Sequence, residues 1–297
     1  MTSLTTPSRT PMPQLTGVTH RQVDVGGLSV HVAEAGQGEP LVLLHGWPQH
    51  WWCWRHVVPL LADRYRLVMP DLRGHGWTGA PSGGYDKEQL ATDLLGLLDV
   101  LELPQVGLVG NDWGGWSGFL ACLRKPARFS AFLALGIVHP WQRPTPAHAL
   151  NAWRMAYQVV LSTPLVTERA LRASPVFIER AILAGTVVSD AFTPTDLRAF
   201  AEVLQEPARA RATVQLYRTF LLRESAGVAL GRYAGYRLTV PTRLVVGDGD
   251  PVAAGPLLEG WQDHADDMAV KVLPRVGHFV PEEAPAAVAE QAIALFG

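Results

Sequence analysis

The chain has 297 residues, of which 48% are hydrophobic, and its net charge is −2. This length suits one large domain or a domain with an insertion, and the near-neutral charge argues against nucleic acid or an anionic membrane as the main partner. The two cysteines, Cys53 and Cys122, form no disulfide framework and lack metal-ligand spacing, so a reducing, cytoplasmic compartment is expected. No apolar run is long enough to span a bilayer.

The first half of the chain predicts alternating strands and helices. Residues 1–19 are rich in Thr, Ser and Pro without the apolar segment of a signal peptide, and are expected to form a flexible arm. Hydrophobic patterning then predicts strands at 21–25, 28–33, 41–44, 65–69, 106–109 and 131–138, with helices at 51–61 and 87–101. Continuous apolar strands between helices favour a mostly parallel sheet covered on both faces, an α/β fold.

The pattern changes after His139-Pro140. Helical segments are predicted at 149–161, 167–173, 176–183, 194–204 and 209–222; strands return at 243–246 and 269–273, with helices at 256–263 and 283–295. We therefore assign residues 20–139 and 237–297 to the α/β core and 140–236 to a helical cap. Such an insertion is expected to cover the carboxyl edge of the sheet, where open α/β sheets bind ligands.

A glycine-rich run, Gly110 to Gly115, joins the strand at 106–109 to a helical segment. Strand, Gly-x-nucleophile-x-Gly and helix is the layout of a nucleophile elbow, whose central residue is usually serine. Here the central residue is Asp112. A carboxylate attacks alkyl carbon and leaves an alkyl ester, not an acyl-enzyme. The simpler alternative is that Asp112 only caps the following helix.

An aspartate nucleophile needs a base that activates water, usually a histidine oriented by a second carboxylate. The segment Gly277-His278 precedes the last predicted helix and supplies His278 as that base. Two aspartates, Asp248 and Asp250, follow the strand at 243–246, and we favour Asp250 as the acid that contacts His278. Asp248 is then expected to hold the turn through the backbone.

The segment His45-Gly46-Trp47-Pro48 follows an all-apolar strand and predicts an oxyanion hole. Its donors would be the backbone N–H groups of Trp47 and of Trp113, the residue after the nucleophile. The Trp47–Pro48 bond is a candidate cis peptide. Asp71 and Arg73 follow the next strand, and we interpret both as residues that hold loops together.

Together these motifs resemble the α/β-hydrolase fold, in the group of epoxide hydrolases and haloalkane dehalogenases. The order Asp112, Asp250, His278 matches, and the likeness covers nearly everything from residue 20 onward. The resemblance implies a mostly parallel sheet flanked by helices, with an inserted helical cap. Epoxide hydrolases carry two cap tyrosines that donate hydrogen bonds to the epoxide oxygen, and Tyr157 and Tyr217 match their settings. The alternatives for the second are Tyr233 and Tyr236.

Related activities are matched less well. Haloalkane dehalogenases bind halide between two N–H donors, of which Trp113 fits one. The second donor is commonly an asparagine after the His-Gly pair or a cap tryptophan, and the asparagine version is absent because Trp47 follows Gly46 here. Fluoroacetate dehalogenases carry an arginine after the nucleophile, where this chain has Trp113. Ser117 lacks the flanking glycines of a serine nucleophile. A ligand receptor on the same fold remains a further alternative, although such proteins often lose a member of the triad.

The sequence thus predicts an epoxide hydrolase that forms a vicinal diol through a covalent ester on Asp112. No metal or organic cofactor is expected, and the partners would be a small apolar epoxide and water. A homodimer is left open. Six tryptophans lie near the expected site and suggest an aromatic wall for an apolar substituent, although at least half of them are expected to fill the core: Trp47, Trp51, Trp52, Trp54, Trp113 and Trp116.

Overall fold

The computed structural model describes residues 8–142, 156–253 and 255–297. Its centre is an eight-stranded sheet with the order β1-β2-β4-β3-β5-β6-β7-β8. The strands are β1 (Val18–Val25), β2 (Leu28–Ala35), β3 (Glu39–Leu44), β4 (Tyr65–Pro70), β5 (Val106–Asn111), β6 (Phe129–Leu135), β7 (Thr242–Gly247) and β8 (Met268–Leu273). The pairs β1–β2 and β2–β4 are antiparallel, and all the others are parallel. This is the α/β-hydrolase arrangement that the sequence predicts.

The central strands are buried on both faces, which explains their continuous apolar sequences. Every residue of β5 is buried, as are the last four residues of β3. The parallel register places Leu44 beside Gly110. The loops that leave β3 and β5 therefore start next to each other, at the carboxyl edge of the sheet.

Helices cover both faces of the sheet. Those of the core are α1 (Val58–Leu61), α2 (Lys87–Val100), α3 (Trp113–Arg124), α10 (Val280–Glu283) and α11 (Pro285–Phe296). The predicted helix at 51–61 is a 3-10 turn, Trp51–Trp54, followed by α1. The predicted helix at 256–263 is wrong: only a 3-10 turn, Gly255–Leu258, forms there, and Gly260 soon after has a φ of +91°, which an α-helix does not accommodate.

A helical insertion lies between β6 and β7. Its helices are α4 (Ala156–Leu161), α5 (Val166–Ala173), α6 (Val176–Ala184), α7 (Pro194–Leu204), α8 (Pro207–Thr219) and α9 (Ser225–Ala229), with a π-helical turn, Phe220–Glu224, between the last two. The start of the helix predicted at 149–161 lies outside the described residues. Within the described ranges, no helix is long and apolar enough to cross a membrane.

A buried lysine ties the insertion to the core. Lys87, at the start of α2, donates through Nζ to the carbonyl oxygen of Leu216 at 2.8 Å and lies 3.2 Å from Glu224 Oε2. The same ammonium lies 4.5 Å from the centre of the Trp113 ring. Burial lowers the pKa of Lys87 to about 8, against the opposing effect of Glu224. The end of α8 is thereby fixed against the start of α2, with the Trp113 ring at the start of α3 beside the ammonium.

The N-terminal stretch is also attached to the insertion. The Ser8 hydroxyl and the N–H groups of Arg9 and Thr10 donate to Glu206 Oε1, and the Trp77 indole N–H donates to the Thr10 carbonyl at 2.9 Å. Strand β1 begins at Val18, inside the stretch that the sequence assigns to the arm.

Candidate active site

The turn between β5 and α3 holds Asp112 in a strained conformation. Its φ of 50° and ψ of −123° lie where residues other than glycine are rare. Asp112 is the N-cap residue of α3, but its side chain makes no capping hydrogen bond, so the simpler alternative of a helix cap has no support in the geometry. A Cβ on Gly114 would collide with the carbonyl oxygens of Leu44 and His45, which explains that glycine.

Asp112 lies under the loop that follows β3. The Trp47 N–H donates to Asp112 Oδ2 at 2.9 Å, and the Trp47–Pro48 bond is cis. Burial raises the pKa of Asp112 to about 6, although His278 and the N–H groups of Trp113 and Trp47 act to lower it. The carboxyl group is thus mostly ionised at neutral pH while being poorly solvated, which favours nucleophilic attack.

His278 lies between two carboxylates. Its Nδ1 is 3.0 Å from Asp250 Oδ2, and its Nε2 is 3.8 Å from Asp112 Oδ1. Asp250 Oδ1 also accepts the N–H groups of Val252 and Ala253, which fixes the carboxylate. The other aspartate of this loop, Asp248, accepts the backbone N–H of Arg275 at 2.7 Å and does not line the cavity.

The charges around His278 favour its cationic form. Burial alone would lower the pKa of His278, but Asp250, Asp112 and Glu283 together raise it to about 9. In the resting protein the imidazolium therefore pairs with both aspartates. An ester on Asp112 would remove one of these negative charges, and the pKa of His278 would then fall towards the range in which the ring can take a proton from water.

A cavity of about 780 Å³ lies between the core and the helical insertion. Asp112 and His278 line it from the core side, and Tyr157 and Tyr217 line it from α4 and α8. The remaining wall is mainly aliphatic and aromatic; it includes Trp47, Val160, Leu161, Val176, Phe177, Ala181, Val252 and Phe279. The structure thus brings Asp112, His278, Arg180 and two phenols to one chamber whose wall is otherwise mainly apolar.

The two tyrosines face each other across the upper part of the site. Their ring centres are 6.1 Å apart, and Tyr217 also packs edge-to-face on Trp47 and Trp113. Tyr217 is 2% exposed and Tyr157 is 37% exposed. Burial raises the pKa of both phenols, so both stay protonated at neutral pH. Of the two alternatives, neither Tyr233 nor Tyr236 lines the cavity.

The tryptophans serve mostly as core. Only Trp47 of the six lines the cavity; Trp51 and Trp54 are fully buried among core residues. The expected aromatic wall is therefore mainly aliphatic, with Phe177 and Phe279 as its phenylalanines. The helical pattern at 176–183 marks a buried face but not a chamber wall, so sequence reasoning had no signal for these lining residues.

Other polar motifs are structural. Asp71 accepts the N–H groups of Trp51 and Trp77 and lies 2.7 Å from His31 Nδ1, while Arg73 pairs with an aspartate on α2. Ser117 is buried within α3 and donates to the Trp113 carbonyl. None of these residues lines the cavity.

Known proteins are similar to this chain in both sequence and fold. The family model described as the alpha/beta hydrolase family matches residues 41–291. A soluble epoxide hydrolase from Corynebacterium sp. (strain C12) is 30% identical over 286 residues, 95% of this chain and 98% of the relative. Haloalkane dehalogenase 2 from Mycobacterium bovis is 31% identical over 293 residues, 97% and 98% of the two chains. The solved structure of the epoxide hydrolase CorEH without ligand is 29% identical, with a TM-score of 0.83 over 94% of this chain and 98% of its own.

The chain therefore belongs to the alpha/beta hydrolase family, in the group that contains epoxide hydrolases and haloalkane dehalogenases. It is a hydrolase. Which bond it hydrolyses depends on the groups that meet the leaving atom inside the cavity.

Proposed function

We propose that the protein is an epoxide hydrolase that converts a small apolar epoxide and water to a vicinal diol in the cytoplasm. One observation carries the proposal: a nucleophile and a base on the core face two protonated phenols on the insertion across one cavity. The insertion then acts as a cap, since it supplies the tyrosines that meet the leaving oxygen.

In the first step, Asp112 Oδ1 attacks an epoxide carbon. Oδ2 accepts the Trp47 N–H, whereas Oδ1 lies 3.8 Å from His278 Nε2 and accepts no hydrogen bond in the described part of the chain. The carbon–oxygen bond of the epoxide breaks, and its electron pair goes to the oxygen. Tyr157 and Tyr217 hydrogen-bond to this oxygen and one of them gives it a proton. An alkoxide is more basic than a phenolate, so this transfer is favourable even though burial raises the pKa of both phenols. The His278 imidazolium then gives up its proton, which reprotonates the phenolate and leaves a neutral imidazole.

In the second step, His278 Nε2 takes a proton from water, and the resulting hydroxide attacks Cγ of the ester. The carbonyl oxygen of the ester, Oδ2, becomes an oxyanion that accepts hydrogen bonds from the N–H groups of Trp47 and Trp113. Collapse of this intermediate breaks the bond between Cγ and Oδ1. The diol leaves with Oδ1 and takes the proton from His278, and Asp112 keeps the oxygen of water with its second proton. That proton passes to His278, which restores the carboxylate and the imidazolium of the resting protein.

A dehalogenase is the second candidate because of one observation. The indole Nε1 of Trp113 is buried and has no hydrogen-bond partner in the described part of the chain, as a halide-binding donor would be. Two features favour the epoxide instead. Trp113 does not line the cavity, and the indole Nε1 of Trp47 already donates to Thr213 Oγ1 at 3.2 Å.

A single turnover in heavy-oxygen water tests the mechanism and the substrate class together. An aryl-substituted terminal epoxide such as styrene oxide, at less than one equivalent, is expected to yield an unlabelled diol and one heavy oxygen in the peptide that contains Asp112. The variant Asp112→Ala is expected to be folded and inactive. Label in the diol would mean that water attacks the epoxide directly. Halide release from a bromoalkane, without epoxide opening, would support the dehalogenase instead.

A further inference from the structure

The Glu283 carboxylate accepts hydrogen bonds from the N–H groups of the residues on either side of His278. It lies on α10, five residues after His278, and is buried. Its Oε2 accepts the Gly277 N–H at 2.9 Å, and its Oε1 accepts the Phe279 N–H at 3.1 Å. The peptide groups immediately before and after His278 are thus held by one carboxylate.

The same carboxylate reaches the helical insertion. Glu283 Oε2 accepts the N–H groups of Val187 at 2.7 Å and Val188 at 3.0 Å, just after α6 ends. The N–H of His278 itself donates to the Gly185 carbonyl at 2.8 Å. Five hydrogen bonds from backbone N–H groups, four of them to the Glu283 carboxylate, therefore join the segments 277–279 and 185–188 into one unit.

The packing at this junction leaves little tolerance. A Cβ on Gly277 would collide with the Gly185 carbonyl oxygen and with the Glu283 carboxylate. The imidazole projects from the middle of this unit, with Asp250 on one side and Asp112 on the other. A shift of the segment 277–279 would change both of these distances.

The neighbouring glutamate serves a different network. The side chain of Glu282, on the same helix, accepts from Arg55 at 2.7 Å and from Gln49 at 3.1 Å, and in the described structure that side chain makes no hydrogen bond to the segment 277–279. Burial raises the pKa of Glu282 to about 8 despite Arg55. The two adjacent buried glutamates thus have different partners: the Glu283 side chain binds the segment 277–279, and the Glu282 side chain binds Arg55 and Gln49.

We propose that Glu283 is a positioning residue for water activation: it fixes the segment 277–279 against the helical insertion and so sets the place of the His278 ring relative to Asp112. The contact is a property of the fold, whereas its effect on turnover rests on the proposed function. Because His278 acts as a base only in the second step, Glu283 governs mainly the hydrolysis of the ester and affects its formation little at neutral pH.

A glutamine in place of Glu283 could not accept all the hydrogen bonds that the carboxylate accepts. Four N–H donors point at the two oxygens of Glu283. A glutamine at this place has one acceptor oxygen, and its NH₂ group would face N–H groups, which leaves donors unpaired. An aspartate keeps both oxygens but withdraws them by one methylene.

Loss of the charge also acts on the histidine directly. The charged groups that face His278 are Asp250, Asp112 and Glu283, and all three raise its pKa. The elbow, the loop after β7 and α10 each contribute one of them, and the segment 185–188 contributes none. Neutralisation of Glu283 is therefore expected to lower the pKa of His278, while neutralisation of Glu282 leaves it in place.

The experiment compares Glu283→Gln, Glu283→Asp and the matched control Glu282→Gln in the full chain. Rapid-quench kinetics with styrene oxide separate ester formation from ester hydrolysis. For Glu283→Gln we expect formation within about threefold of the parent and hydrolysis slower by roughly 10- to 100-fold, the size expected when a reacting group is misplaced by up to 1 Å. Glu283→Asp should recover part of the rate, and Glu282→Gln should change neither step by more than about twofold, whatever its effect on stability.

Two measurements without substrate keep the proposal separate from the reaction assigned to the protein. An NMR titration of the ring-labelled histidine should give a lower pKa for His278 in Glu283→Gln and an unchanged one in Glu282→Gln. Amide exchange should quicken at Val187, Val188, Gly277 and Phe279 in the first variant only. Both would still succeed if the protein opened no epoxide, in which case only the proposed function would fail.

Other results would overturn the role of Glu283. Equal slowing of ester formation and ester hydrolysis would indicate general damage to the fold. An unchanged hydrolysis rate in folded Glu283→Gln, or a recovery no better with Glu283→Asp than with Glu283→Gln, would remove the residue from the mechanism. If Glu283→Gln does not fold, Glu283→Asp decides by the same criterion: selective loss of ester hydrolysis supports the role, and equal loss in both steps refutes it.

Discussion

Removal of His278 should stop the reaction at the ester on Asp112 and should also shift the pH dependence of ester formation. In His278→Gln the side chain keeps its approximate size but cannot take a proton from water, so the ester on Asp112 should accumulate. The lost imidazolium also acted to lower the pKa of Asp112. Without it, the pKa of Asp112 should rise above its present value of about 6, and ester formation should require a higher pH.

The size of the effect follows from the fraction of ionised Asp112. With a pKa of about 6, the carboxyl group is about 90% ionised at pH 7 and about 10% at pH 5, so ester formation by the parent protein should fall roughly tenfold between them. The acid limb belongs to the Asp112–His278 pair in the parent, and to Asp112 alone in the variant. At pH 6 the variant should therefore form the ester more slowly than the parent does.

Intact-mass spectrometry after rapid quenching measures this directly. His278→Gln mixed with an epoxide should gain the full mass of the epoxide, and the rate of the gain across pH gives the acid limb. The parent protein, followed by tryptophan fluorescence in a single turnover, supplies the comparison. An acid limb near the ordinary aspartate pKa of about 4 would refute the burial argument. An unmodified mass in the variant, despite binding, would remove His278 from the second step.

Three further predictions concern the remaining side chains. Tyr157→Phe and Tyr217→Phe should each slow ester formation by roughly 10²- to 10⁴-fold, and the double variant by far more, while hydrolysis of a preformed ester changes little; parental rates in the double variant would contradict the role of the phenols. Asp250→Asn should lower the pKa of His278 and slow ester hydrolysis by up to roughly 10⁴-fold, whereas Asp248→Asn should not, and NMR titration with rapid-quench kinetics distinguishes them. Lys87→Met leaves its buried glutamate partner unpaired and should lower the free energy of unfolding by about 3–5 kcal/mol in urea titrations; an unchanged unfolding midpoint would show that the buried pair contributes nothing net.

Local motifs made much of the molecule predictable. The elbow around Asp112 and the Gly277-His278 pair are short segments whose residue types follow from close backbone contacts, so each can be read without knowledge of its neighbours. Chain order then brings them together, because both follow parallel strands at one edge of the sheet. The failed helix at 256–263 shows the limit of periodicity, since Gly260 ends the turn regardless of the apolar spacing.

Contacts between distant segments could not be predicted in this way. Glu283 and Val187 are 96 residues apart, and Lys87 and Glu224 are 137 residues apart. Nothing in the local sequence of a buried glutamate or lysine says which partner it will meet. The division of the tryptophans between core and cavity has the same cause, because it depends on how the insertion lies over the sheet.

The way the insertion is attached gives the cavity two kinds of wall. One wall is held to the core by hydrogen bonds, and the other, on helices α4 to α6, can change its side chains more freely. In the described residues, helices α4 to α6 make no hydrogen bond to the core; the insertion is joined to the core by residues after α6 and, at its start, by Trp141 and Gln142. These three helices meet the cavity with aliphatic and aromatic side chains and with Arg180. Apart from Tyr157 and Arg180, these helices should select a substrate by shape and not by polar pairing. New substrates could then be acquired by exchanging side chains on α4 to α6, one methyl group at a time, without rebuilding the charged groups beneath them.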